Sequence, residues 1–172
     1  MGFDHVSTPP LFAPGPAGDV FLPGDIEAAH PILDAKTADH AIGRVAEVCG
    51  SHGLGLILDI VLDRAHADGA LAKSHPGLFS VTRACGERLP DPRFARLQPD
   101  AVYARFDEPD VAEQLAALWT DRLRRLLNAG AAGFRFHNPQ CLSSRLWRAM
   151  NGELRSTLPN VLSLAWTPGL SW

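Results

Sequence analysis

Four residue types in this chain could do chemistry together. Arg135 and His137 alternate along Ala132-Gly133-Phe134-Arg135-Phe136-His137-Asn138-Pro139. That segment reads as a short buried strand delivering an Arg and then a His to its C-terminal end. A second strand pattern, Val161-Leu162-Ser163-Leu164-Ala165, ends at Trp166-Thr167-Pro168-Gly169. A third, Leu54 to Leu62, is an almost unbroken apolar run interrupted by Asp59. In parallel β/α architectures the strand C-termini carry the chemistry. There Asp59 and Arg135 could hydrogen-bond polar groups, and Trp166 could stack or donate a hydrogen bond. The competing expectation is that Arg135 and Asp59 form a buried ion pair that only orders the strand ends.

Other sites have little support. No Ser sits in a Gly-x-Ser-x-Gly turn. Gly15-Pro16-Ala17-Gly18 lacks the Lys of a phosphate-cradling loop. The seven His residues show no His-x-x-x-His spacing, and the cysteines no Cys-x-x-Cys spacing, so neither metal nor cofactor is expected. Cys49, Cys85 and Cys141 are odd in number and read as reduced thiols. Trp119 and Trp147 lie at helical spacing and read as core anchors. Asp107, Asp110 and Asp121 read as solvent-facing or capping.

These residues need elements to position them. The 172 residues suffice for one domain with a sizeable core, and 46% hydrophobic with 20% charged residues is ordinary for a globular α/β protein. Sixteen basic against nineteen acidic residues give a net charge of −3, too mild for a nucleic-acid or anionic-membrane partner. No apolar run reaches membrane-spanning length. The N-terminus lacks the basic and apolar blocks of a signal peptide, which points to a cytoplasmic protein.

Phe3 to Ser7 reads as a short strand, followed by a Pro/Gly-rich loop. That loop holds Leu11, Phe12, Val20, Phe21 and Leu22 and reads as an ordered lid, too apolar for a free linker. Ala38 to His52 reads as a helix capped by Thr37 or Asp39 and closed by Gly53. Asp63 to Asp107 reads as mostly irregular, broken by His75-Pro76 and Pro90-Asp91-Pro92. Pro109 opens a helix whose face Val111, Leu115, Leu118, Trp119, Arg122 and Leu126 is apolar apart from the Arg. Ser143 or Ser144 caps a last helix running to about Thr157. The alternation of strands and helices argues for parallel βαβ units.

Three motifs carry a family resemblance. Gly55-Leu56-Ile57-Leu58-Asp59-Ile60-Val61 resembles the third barrel strand of the α-amylase superfamily (glycoside hydrolase family thirteen). Lys73-Ser74-His75-Pro76-Gly77-Leu78-Phe79 resembles the Lys-Glu-His-Pro-Glu-Trp-Phe type segment of its bacterial maltose-1-phosphate maltosyltransferases. Gly133-Phe134-Arg135-Phe136-His137-Asn138-Pro139 resembles their Arg-Val-Asp-Asn-Pro segment on strand four. The likeness runs from Gly2-Phe3-Asp4-His5-Val6 to Thr167-Pro168. It implies one domain over 1–172: a partial (β/α)8 TIM barrel of α/β class, with about four parallel strands, two to five of the eight, and alternating helices.

The resemblance also implies roles. Asp59 matches the strand-three Asp that helps order the sugar site, and Arg135, Asn138 and Pro139 match on strand four. His137 stands where the nucleophilic Asp belongs. Relatives read Leu-Ala-Glu-Ala-Phe-Thr on strand five; in Leu164-Ala165-Trp166-Thr167 either Trp166 replaces the acid Glu or two residues are deleted around it, and in both cases no carboxylate remains there. Asp63-Arg64 departs from the usual Asn-His pair. Retaining glycosyl transfer needs two carboxyl groups about 5 Å apart. A Trp has no titratable proton to shuttle. Loss of an essential nucleophile costs on the order of a million-fold in rate, about 8 kcal/mol.

The sequence therefore suggests an α-amylase/maltosyltransferase-like domain of α-glucan (glycogen) metabolism without catalysis. His137 and Trp166 are vestigial catalytic positions, and Asp59, Arg135, Asn138 and Trp166 are candidate contacts to an α-glucan or maltosyl ligand. The alternatives are a structural or interaction segment of a larger barrel protein, or a transferase needing a missing half. Four strands of eight leave open edges, so self-association or pairing with the remaining half of a barrel is also expected.

Overall fold

The computed structural model describes residues 2–82 and 98–167. Its centre is a four-stranded parallel sheet of β1 (His5–Thr8), β4 (Gly55–Val61), β8 (Gly133–His137) and β9 (Leu162–Trp166), in that spatial order. Helices α1 (Ala38–Ser51), α3 (Pro109–Asn128) and α4 (Ser144–Thr157) lie between successive strands of the sheet. This is the alternation expected from the sequence, and it forms part of a (β/α) barrel.

Strand β4 is buried along almost its whole length, as a parallel strand covered on both faces requires. Leu56, Leu58 and Ile60 share one face with Phe134 and Phe136 of β8. They pack with Ile42 of α1, Trp119 and Leu123 of α3, and Met150 and Leu154 of α4. Because side chains alternate along a strand, Asp59, Arg135 and His137 fall on the opposite face.

The helix signals work as read. The Thr37 hydroxyl accepts the amide of His40, 3.3 Å away, at the start of α1, and Gly53 follows its end at φ +71°, where a left-handed residue closes the turn. Pro109 sits at the first position of α3. The Ser143 hydroxyl accepts the amide of Leu146 at the start of α4. Gly133 is required by contact, since a Cβ there would lie 2.5 Å from the Leu162 carbonyl oxygen of β9.

Two regions differ from the expectation. The Pro/Gly-rich stretch contains an antiparallel pair, β2 (Phe12–Pro14) and β3 (Pro23–Ala29), with shifts of register at two points. The segment expected to be irregular holds β5 (Arg64–His66), the short helix α2 (Ala70–Ser74), β6 (Phe79–Ser80) and β7 (Ala101–Ala104). Strands β5 and β6 both pair antiparallel with β7. Strands of two to four residues leave too short a period for a pattern, and their partners are remote in sequence.

Cys49 is a free thiol, but Cys141 is disulfide-bonded, which corrects the reading of three reduced thiols. A disulfide depends on proximity in space, which residue spacing does not reveal. Cys85, Pro90-Asp91-Pro92 and Pro168-Gly169 lie outside the described residues. Among the described residues no helix is long and apolar enough to cross a membrane.

Candidate functional site

The register of the sheet builds the site. Asp59 pairs across β4 and β8 with Arg135, and Arg135 across β8 and β9 with Leu164. Two residues on, Val61 pairs with His137 and His137 with Trp166. All therefore project from one face at the C-terminal ends of the strands.

Asp59 is the hub and is buried. Arg135 donates to both its oxygens, Nε to Oδ1 and Nη2 to Oδ2, each at 2.7 Å. This is the two-pronged geometry a guanidinium offers a carboxylate. The Ser7 hydroxyl donates to Oδ1 at 3.3 Å, and His137 Nε2 lies 3.1 Å from Oδ2. An ionised carboxylate can only accept, so Nε2 carries the proton and Nδ1 is the ring's remaining acceptor when neutral.

Burial on its own pushes the Asp59 carboxyl up; the hydrogen bonds from His137 and Arg135, with the Arg135 charge, outweigh it and hold the carboxyl below its ordinary value. The same pair raises the Arg135 guanidinium further, chiefly through its hydrogen bond to Asp59. Asp59 is thus ionised at neutral pH and cannot donate a proton to a leaving group.

Aromatic rings frame this hub. The Trp166 ring is 46% exposed, and Arg135 Cζ lies 5.1 Å from its centroid, within cation–π range. The His137 and Trp166 ring centroids are 6.0 Å apart. From the other side Phe21 approaches His137 to 4.9 Å. The Phe21 loop is tied down by Asp19, whose carboxylate accepts the Phe21 amide at 2.8 Å and the Gln98 side-chain amide at 2.9 Å.

All the proposed contact residues lie at this end of the sheet, although Asn138 is turned to a second network. Its φ is +49°, a left-handed conformation that Asn tolerates better than most residues. Its side-chain amide donates to Asp63 Oδ2 at 3.0 Å, and Asp63 also pairs with Arg64 at 3.0 Å. Asn138 therefore joins the ends of β4 and β8. Sequence reasoning did not link Ser7 to Asp59, or Phe21 to His137; the apolar content of the lid was the one signal for the latter. Among the described residues no group of three metal-type ligands occurs.

Trp119 is buried as expected, and Trp147 packs against Phe136 at 4.7 Å while its Nε1 donates to the Pro139 carbonyl at 2.7 Å. Asp121 pairs with Arg125 at 3.3 Å.

No family model matches the chain. It is 30% identical over 169 residues to an α-1,4-glucan:maltose-1-phosphate maltosyltransferase of Burkholderia pseudomallei, covering 98% of this chain and 15% of that protein. A protein of the same description from Cereibacter sphaeroides is 29% identical over 160 residues, covering 89% of this chain and 23% of the relative. The chain thus spans under a quarter of the length of these two relatives. An α-amylase from Lactobacillus plantarum superposes with a TM-score of 0.74 at 18% identity, over 95% of this chain and 37% of that one. An α-amylase from Geobacillus thermoleovorans gives 0.71 at 14%, over 95% and 36%. These structural matches speak for the fold, and the sequence matches run along nearly all of the chain. The chain is similar along nearly its whole length to the maltose-1-phosphate maltosyltransferases and has the fold of a four-stranded part of the α-amylase barrel.

Proposed function

We propose that this chain is a catalytically depleted domain of α-glucan metabolism that binds maltosyl or α-glucan ligands at the strand ends without transferring them. The observation that carries the reading is the pairing of His137 with Trp166 beside an Asp59 already engaged by Arg135 and His137. Glycosyl transfer with retention requires one carboxylate to attack and a second carboxyl to protonate the leaving oxygen. Asp59 is ionised and held by hydrogen bonds, Trp166 cannot titrate, and His137 offers one ring nitrogen. A half-exposed indole beside a guanidinium still suits a pyranose: an apolar face for the ring and donors for its hydroxyls. One domain over 1–172 and a cytoplasmic location belong to the same reading. Calorimetry with maltose and maltoheptaose tests it: binding that is lost in Trp166→Ala supports it, and no binding of either sugar refutes it.

A second reading is favoured by the sheet edge. Strand β9 is exposed along its last four residues, with Leu164 at 43% and Trp166 at 46%. An open apolar edge of this kind invites another strand. On that reading the chain is an interaction segment that associates with itself or with the remaining half of a barrel. Light scattering after size-exclusion chromatography separates the two, since a clean monomer counts against it.

A further inference from the structure

The helix side of β9 is bare. Phe134 and Phe136 of β8 face the helices and are buried. Their register partners in β9, Ser163 and Ala165, are exposed. Helix α4 flanks this strip. Between them lies a cleft of about 470 Å³, lined by Arg148, Asn151, Gly152, Arg155 and Ser163. Side chains alternate along a strand, so Ser163 points away from the face that carries Arg135, His137 and Trp166.

Charge singles out the cleft. Arg148, Asn151, Gly152 and Arg155 fall at i, i+3, i+4 and i+7 and form one stripe along α4. Both arginines are exposed. Neither is paired with a carboxylate among the described residues, and no carboxylate lines the cleft. Arg148 Nε donates to the Ser144 carbonyl of its own helix at 3.2 Å. By contrast, Arg145 is paired with Glu113 and Arg125 with Glu27, each at 2.5 Å. The Ser163 hydroxyl is engaged with Asn151 Oδ1 at 2.9 Å.

Gly152 adds access. A Cβ there would meet no neighbouring group within 4 Å. Nothing among the described residues fills the space over the middle of the stripe, and a second backbone can approach closely.

The spacing defines the occupant. Seven residues of helix span about 10.5 Å. Two cations at that pitch match two anions at the same pitch, and carboxylates seven residues apart on a second helix supply them. A guanidinium takes a carboxylate in a two-pronged pair. Two guanidinium groups on a chain of net charge −3 are too few for nucleic-acid phosphates.

We infer that the α4–β9 cleft is a docking surface for an acidic helix of a partner protein. That helix lies along α4 over Ser163 and Ala165, with its carboxylates on Arg148 and Arg155. Exposed pairs of this kind give selectivity more than strength and are screened by salt. The cleft uses neither Trp166 nor the free edge of β9, so it goes beyond both readings of the function.

NMR titration of the isotopically labelled full chain tests the surface. The probe is a helical peptide of Ala, Leu and Glu, three heptads long, with glutamates every seventh residue on one face. Its counterpart carries Lys in place of Glu. The Glu peptide is expected to shift the amides of Arg148, Asn151, Gly152, Arg155 and Ser163, and the Lys peptide is not. Raising salt from about 50 to about 500 mM weakens the response, since the screening length falls severalfold. The double change Arg148→Glu with Arg155→Glu touches exposed side chains alone; it weakens Glu-peptide binding at least about tenfold and confers a response to the Lys peptide. Trp166→Ala leaves the response unchanged, which separates it from sugar binding. Equal shifts with both peptides, or none up to about 1 mM, the Kd range of a weak complex, would overturn the inference. So would shifts with inorganic phosphate but not the Glu peptide, which would mark a small-anion site. Shifts of the same amides on concentrating the chain alone would show a second copy in the cleft, and would also overturn it.

Discussion

His137 and Trp166 are register partners on β8 and β9, with ring centroids 6.0 Å apart on the face that carries Asp59. The two positions that family resemblance marks as nucleophile and acid are neighbours in space, and neither holds a carboxylate. The proposed reading rests on this absence of a carboxylate pair, which retaining transfer requires, beside an aromatic surface.

That surface predicts a separation of binding from stability. Trp166 is half exposed at a sheet edge, so Trp166→Ala is expected to cost less than about 1 kcal/mol of stability. The same change is expected to weaken maltoheptaose binding about tenfold or more, through loss of ring stacking. Calorimetry and urea denaturation on the same samples check both halves.

Asp59 is expected to behave in the opposite way. It is buried and holds Arg135, His137 and Ser7. Removing one partner of such a pair strands the other. Because Arg135 retains partial exposure, Asp59→Ala falls at the lower end of that range, about 3 kcal/mol. Denaturant unfolding reads this as a lower midpoint with an unchanged slope.

The same carboxyl sets an acid limit. Its folded pKa lies below the ordinary carboxylate value, so the unfolded chain takes up the proton first as pH falls. The stability that Asp59 contributes is present above about pH 4 and is lost as pH drops through the folded value. Glu27, lowered by its hydrogen bond from Arg125, adds to the slope in the same direction. Urea midpoints measured from pH 6 to pH 3 are expected to fall, and less steeply in Asp59→Asn.

Backbone approach gives a further check. Gly133 faces Leu162 so closely that a methyl group would overlap its carbonyl. Gly133→Ala is expected to destabilise by about 1–3 kcal/mol and to raise amide hydrogen exchange in β9 before the core of β4. Protection left unchanged in β9 would show that the strands can part without cost.

Much of this was legible in the residues themselves. The apolar run around Asp59, the Thr37 and Gly53 helix ends, Pro109 and the Gly133 strand announced the parallel layers, because periodicity and capping are local properties. The β5–β6–β7 sheet was not legible, since Arg64 meets Tyr103 through pairing that no short-range pattern encodes. For the same reason the hydrogen bond from His137 to Asp59, the contact of Phe21 with His137 and the disulfide at Cys141 were hidden until register and loop path were fixed. The Arg135–Asp59 ion pair, weighed as an alternative to ligand contact, does form. It leaves Trp166 as the exposed residue among the four candidate contacts.

The most direct measurement is maltosyl transfer from maltose-1-phosphate to maltoheptaose by the purified chain. The account predicts no product above the protein-free background, because the two decisive places hold a His and a Trp. Turnover that is abolished by His137→Ala would contradict it.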